Sequence, residues 1–133
     1  MLAFGLEEFR NGSSSTAVIQ RVALAEPHNL TMLAAYAVPI TGHDLYGVLS
    51  GYPPAKHLEP GVEWSKRQWA NGARIPPTKG HDVTNLVLVL RPVGAKGSAK
   101  GVDVHYEVAG QQYLLRTATQ ILVLSGRECP ANL

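Results

Sequence analysis

The side chains with the greatest chemical capacity in this sequence belong to a repeated tripeptide, Gly42-His43-Asp44 and Gly80-His81-Asp82. Each stands in a glycine-led loop at the entry to an apolar segment, so both could reach one end of a domain where loops gather. Two imidazoles and two carboxylates are ligand types that Zn²⁺ or Cu²⁺ accepts. The spacing offers no local His-x-His or His-x3-His pattern, and a plainer reading has Asp44 and Asp82 closing Asx turns while His43 and His81 are solvated. A Zn or Cu site on these four residues is therefore the alternative expectation, and the leading one takes no cofactor.

A second constellation is aromatic. Tyr46, Tyr52, Trp64 and Trp69 are concentrated in one region, with Lys56, Lys66, Arg67 and Arg74 among them. An exposed aromatic ring beside polar groups suits a sugar, a peptide or another protein. Tyr46, Tyr52, Trp64, Trp69 and Arg67 are accordingly the expected binding surface, and an unidentified protein or carbohydrate is the expected partner. The competing expectation is that the tryptophans cover the core, because Trp is highly buried on average. If residues 62–69 form a strand, Trp64 and Trp69 face opposite sides, and one sheet can bury only one of them.

Signals for catalysis are weak. Ser50 sits in Leu49-Ser50-Gly51 rather than in a Gly-x-Ser-x-Gly elbow, and residues 94–101 lack the Gly-Lys-Ser/Thr ending of a phosphate loop. Cys129 is the only cysteine, which excludes an internal disulfide and a two-thiol metal site. His28 and His57 carry no motif, and His105 lies on the polar face of its segment with Asp103 and Glu107. The expectation is a non-catalytic protein.

The elements that must position these residues read as strands. Residues 101–108 alternate, with Val102, Val104, Tyr106 and Val108 on one face, and Gly110 supplies a tight turn into residues 113–117. Residues 83–91 form a β-branched and leucine run too short for a typical helix, which predicts a central strand. Residues 3–10 and 16–24 are extended segments separated by the Asn11-Gly12-Ser13-Ser14-Ser15 reversal, and neither face of the second is purely polar. Residues 30–40 predict a further strand, and residues 92–100, rich in glycine, predict a mobile connector. Residues 41–79 are broken by Pro53, Pro54, Pro60, Pro76 and Pro77, which predicts one long irregular connection containing short strands or a functional loop.

The chain of 133 residues is long enough for one domain, and 45% hydrophobic residues can supply a core. Twelve basic residues against ten acidic ones give +2, a balance that does not select for nucleic acid. No stretch approaches the roughly 20 apolar residues that cross a bilayer as a helix. The strand rhythm predicts an all-β antiparallel sandwich of about seven strands. Either a monomer or a weak homodimer paired through edge strands is expected.

Residues 9–19, Phe9-Arg10-Asn11-Gly12-Ser13-Ser14-Ser15-Thr16-Ala17-Val18-Ile19, resemble the strand, Asn-Gly-Ser turn and β-branched strand that open bacterial immunoglobulin-like modules. Residues 101–117 are similar to the closing hairpin of such modules. The chain as a whole resembles small exported or membrane-anchored β-sandwich proteins of actinobacteria, although the Cys…Trp…Cys pattern of antibody domains is absent. The resemblance implies an immunoglobulin-like antiparallel β-sandwich, an extracytoplasmic or secreted address, to which an export segment missing from this sequence would correspond, and a binding or structural role. It supplies no catalytic residues. The first residues lack the pattern of a signal peptide, so a cytoplasmic address is the alternative.

Overall fold

The computed structural model describes residues 1–42, 45–52, 58, 60–80 and 82–126. Among the described residues the chain is all-β, with eleven strands, one short 3-10 turn and antiparallel pairing throughout. The strands are β1 (Leu2–Phe9), β2 (Ala17–Ala25), β3 (Leu30–Ile40), β4 (Gly47–Ser50), β5 (Gln68–Trp69), β6 (Arg74–Ile75), β7 (Val83–Pro92), β8 (Lys96–Ala99), β9 (Gly101–Val108), β10 (Gln111–Arg116) and β11 (Ile121–Leu124). A five-stranded sheet runs β4-β1-β7-β3-β5, a four-stranded sheet runs β10-β9-β2-β6, and β8 pairs with β11. The number of strands exceeds the expected seven or so because the connections themselves contribute short strands.

The two larger sheets sandwich one core. Phe4, Phe9, Leu86, Leu88 and Leu90 from the first meet Ala17, Ile19, Val22, Val102 and Val104 from the second. The β9–β10 hairpin forms as its alternation predicts, with Val102 and Val104 buried and Tyr106 and Val108 packed against the core. Its turn places Ala109 (φ 51°) and Gly110 (φ 80°) in the left-handed region, the geometry of a type I′ hairpin. The reversal at residues 11–15 carries the chain from one sheet to the other, held by Asn11, whose Nδ2 donates to Ser15 O and Ile75 O.

The mixed faces of β2 have a structural cause. Its pairing with β9 shifts register between Ile19 and Arg21, so Ala17 and Ile19 before the bulge and Val22 after it are all buried. Gln20 and Arg21, at the bulge, are exposed. One extra residue thus converts an ambiguous alternation into a single apolar face.

The glycine-rich segment 92–100 departs from the expected mobile connector. Lys96–Ala99 is strand β8, paired residue by residue with β11, and Gly97 and Ala99 are buried. A Cβ at Gly97 would collide with the Asn29 carbonyl oxygen. The glycine there serves close backbone approach rather than mobility.

Candidate functional site

Strand β7 lies in the middle of its sheet and is buried on both faces. Leu86, Leu88 and Leu90 face the sandwich core, while Val83, Val87 and Val89 face outward and join a second core with Ala3, Val38, Ile40 and Tyr36. An outer face this apolar needs a cover. Tyr46, Val62 and Trp64 from the connection between β3 and β6 supply it, with Tyr52 and Leu58 packed against the same cluster. The expected long connection therefore holds short regular pieces and folds over the sheet.

Tyr36 on β3 is the centre of this cover. Its ring stacks on Trp69 at 4.8 Å and on Tyr52 at 6.0 Å, and it meets the Trp64 ring edge-on at 5.5 Å. The Tyr52 hydroxyl donates to the Tyr36 hydroxyl oxygen at 2.8 Å. The Arg67 guanidinium sits 4.7 Å from the Trp64 ring centre and 5.7 Å from that of Tyr36, within cation–π range. Burial, followed by the hydrogen bond from Tyr52, pushes the Tyr36 phenol up to about 12, with Arg67 acting in the opposite direction. Burial also raises Tyr46, whose hydroxyl has no hydrogen-bond partner among the described residues.

Residues 62–69 do not form the continuous strand expected. Trp64–Lys66 is a 3-10 turn closed by Lys66 N–H to Glu63 O and Arg67 N–H to Trp64 O, with Lys66 Nζ 2.9 Å from Glu63 Oε1. Two-residue alternation is lost there, so Trp64 and Trp69 both reach Tyr36 instead of facing opposite sides.

The five aromatic-site residues have different environments. Tyr46 is 4% exposed and belongs to the outer core, while Tyr52 and Trp64 are half-buried. Arg67 is exposed, and Trp69 keeps 65% of its surface in water. Beside Trp69 runs a groove of about 490 Å³ lined by Val22, Met32, Leu33, Ala34, Ala35 and Asn71. Its floor is the part of β3 that β5 leaves unpaired, since β5 pairs only with Tyr36 and Ala37. Asn71 is anchored there, with Oδ1 accepting the Val22 N–H at 3.2 Å. The arrangement can hold a flat ligand against the open face of the indole.

Tyr36 and Asn71 were not among the expected site residues. The signal for Tyr36 was a lone large aromatic between Ala34, Ala35 and Ala37, whose small side chains leave room for other rings to stack on it. Of the expected metal ligands, His43, Asp44 and His81 lie outside the described residues. Asp82 is exposed, and its N–H donates to Lys79 O at 3.2 Å. Among the described residues, no three His, Cys, Asp or Glu side chains gather to hold a metal ion. No described helix is long and apolar enough to cross a membrane. Comparison of the chain with protein-family models, with curated proteins and with solved structures gives no match.

Proposed function

We propose that this chain is a non-catalytic binding module, an immunoglobulin-like sandwich working outside the cytoplasm at the bacterial cell envelope, and that a sugar ring of its ligand rests on Trp69. The observation that carries the reading is an indole 65% exposed and yet held in place by its stack on Tyr36. A large apolar ring left in water weakens no fold when a ligand covers it, and a ring already fixed in orientation loses little freedom on binding. The neighbouring polar groups of Arg67 and Asn71 are of the kind that orient a sugar by hydrogen bonds at the rim of such a platform.

The test is calorimetric titration with a panel of soluble envelope-type oligosaccharides, on the parent and on Trp69→Ala, so that the readout does not depend on the ring removed. At least one oligosaccharide should bind the parent, and Trp69→Ala should bind it at least about tenfold more weakly while staying folded, with only the small melting shift that loss of one exposed stack brings. A panel without any binder, or a Trp69→Ala variant that binds as well as the parent, would defeat the proposal. A protein partner captured through Trp69 in place of a sugar would keep the surface and replace the ligand.

A further inference from the structure

Most open strand edges in this fold are short or irregular. β6 has two residues and runs into Pro76, β4 has four residues, and β3 carries a bulge at Leu33 between Met32 and Ala34 before it meets β5. These are the usual ways to keep an edge from pairing with another chain. β10 differs. It is a six-residue edge strand without proline, lysine or bulge, every residue of it is exposed, and no described residue pairs with its outer side. It also carries exposed apolar side chains on both faces, with Leu114 57% exposed on one and Tyr113 and Leu115 45% and 42% exposed on the other.

The hydrogen-bond phase of β10 is fixed by its turn. A two-residue type I′ turn makes Val108 and Gln111 the first hydrogen-bonded pair, followed by Tyr106 with Tyr113 and Val104 with Leu115. The Thr117 N–H donating to Val102 O at 2.9 Å continues the same phase. Gln112, Leu114 and Arg116 therefore direct their N–H and C=O groups away from β9.

We propose that β10 is a homodimer seam, on which the β10 of a second copy adds antiparallel about a two-fold axis through Leu114. Such an axis, perpendicular to the sheet, keeps each side chain on its own face. It sets Leu114 opposite Leu114 of the second copy, and Gln112 opposite the second copy's Arg116 twice over, all at positions whose backbone groups point outward. On the other face Tyr113 meets the second copy's Leu115, again twice, extending the aromatic row in which Phe9 meets Tyr106 and Tyr106 stacks on Tyr113 at 5.3 Å. No like charges meet in this register: Arg116, paired with its own Asp103 at 2.6 and 2.8 Å, comes opposite the second copy's neutral Gln112.

Neighbouring registers lose this match. Sliding one way sets Tyr113 against the second copy's Thr117 and Arg116 against Leu114. Sliding the other way sets Leu115 against Gln111 and leaves Arg116 opposite the Gly110 turn. The alignment through Leu114 sets three apolar pairs opposite each other, whereas its neighbours keep one, Tyr113 with Tyr113 or Leu115 with Leu115, and this self-matching favours a second copy over a foreign strand as the occupant.

Analytical ultracentrifugation over a range of concentrations tests this with the parent, Leu114→Lys and Leu114→Glu. The parent should show a concentration-dependent dimer. Each variant should sediment as a monomer, because like charges would stand opposite each other across the axis, and should melt as the parent does in dilute solution, where dimerisation adds no stability. Mixing the two variants in equal amounts should restore the dimer, since only the mixed pair brings opposite charges together at Leu114. A parent that stays monomeric at its highest soluble concentration overturns the proposal and leaves the edge to another partner. A Leu114→Lys variant that dimerises like the parent overturns it as well, and a folded but monomeric mixture overturns the register.

Discussion

Asn85→Leu is the substitution whose cost the structure defines best. Asn85 interrupts the apolar run of β7 and is fully buried on the outer face of the sheet. Its Nδ2 donates to Gly5 O at 3.1 Å and Glu7 O at 2.8 Å, and its Oδ1 accepts the Tyr46 N–H at 2.9 Å. The β1 carbonyls stand where pairing with β7 shifts register between Phe4 and Glu7, and Tyr46 is the residue just before β4. One side chain thus serves three main-chain groups around a bulge. Leucine keeps the branched shape and is somewhat larger, so the substitution opens no space but orphans all three groups. At about 1–3 kcal/mol for each buried unsatisfied group, with some relief from relaxation, the expected loss is about 3–6 kcal/mol. That is a large part of the roughly 5–15 kcal/mol that holds a domain folded. Urea unfolding followed by tryptophan emission should show a lower midpoint with an unchanged slope. A loss under about 1 kcal/mol would refute the reasoning, because the bulge would then have other partners. Asn85→Asp sharpens the test. A carboxylate can still accept from Tyr46 but repels the two carbonyls, whereas a protonated acid can donate to one. Its folded-state pKa should rise above the ordinary value of about 4, so its stability should be greatest in acid and fall as pH rises.

Gly5→Ala should lower stability by about 1–3 kcal/mol, read as a melting shift, because a Cβ there would lie 2.6 Å from Tyr46 Cβ, an atom that cannot swing aside. The raised Tyr36 phenol sets an alkaline window: stability is intact below the ordinary pKa of 10.0 and is lost as pH climbs towards about 12, since the unfolded chain ionises first. Melting curves across that window should fall less steeply for Tyr36→Phe than for the parent, and equal slopes would disprove the assignment. Arg116→Ala removes an exposed pair with Asp103, whose carboxyl Arg116 holds below its usual value through their hydrogen bonds. The cost to the monomer should be small because solvent screens the pair, and the pair's contribution, present above the ordinary Asp pKa, should fade as pH drops through the lowered one. A larger loss at neutral pH in dilute solution would mean that Arg116 has a further structural role.

The β9–β10 hairpin and the central place of β7 were legible because they rest on local signals, a clean alternation and the apolar run of residues 86–90. The phase of β2 was not, because its apolar residues fall on one face only after a bulge whose position depends on pairing with β9. Gly97 misled for a related reason. Its composition suggested a loose connector, whereas its use depends on Asn29, far away in the chain. At the candidate site, Trp69 and Arg67 could be named from composition, since aromatic and cationic residues cluster there. Which rings would be buried could not, because Tyr36 reaches them only through the sheet, and the 3-10 turn at Trp64–Lys66 sets their directions.

The cover over the outer sheet face limits where recognition can occur. Ala3, Val38, Ile40, Val83, Val87 and Val89 are all buried beneath it, so lifting the connection would expose a continuous apolar surface. At about 25 cal/mol per Å² of apolar area, uncovering even a few such side chains costs several kcal/mol, more than a weak ligand returns. Tyr46 and Trp64 are therefore held in place by the fold itself, and a ligand must be met at the rim without moving them. Of the aromatic group, Trp69 and Arg67 are the members exposed at that rim, and Trp69 is braced from beneath by Tyr36. Trp64→Ala and Trp69→Ala should consequently separate: the first should lower the melting temperature clearly, and the second should lower it less, by the loss of one partly exposed stack, while removing binding. If Trp69→Ala proves the more destabilising of the two, the exposed ring belongs to the core after all, and the site must be sought elsewhere.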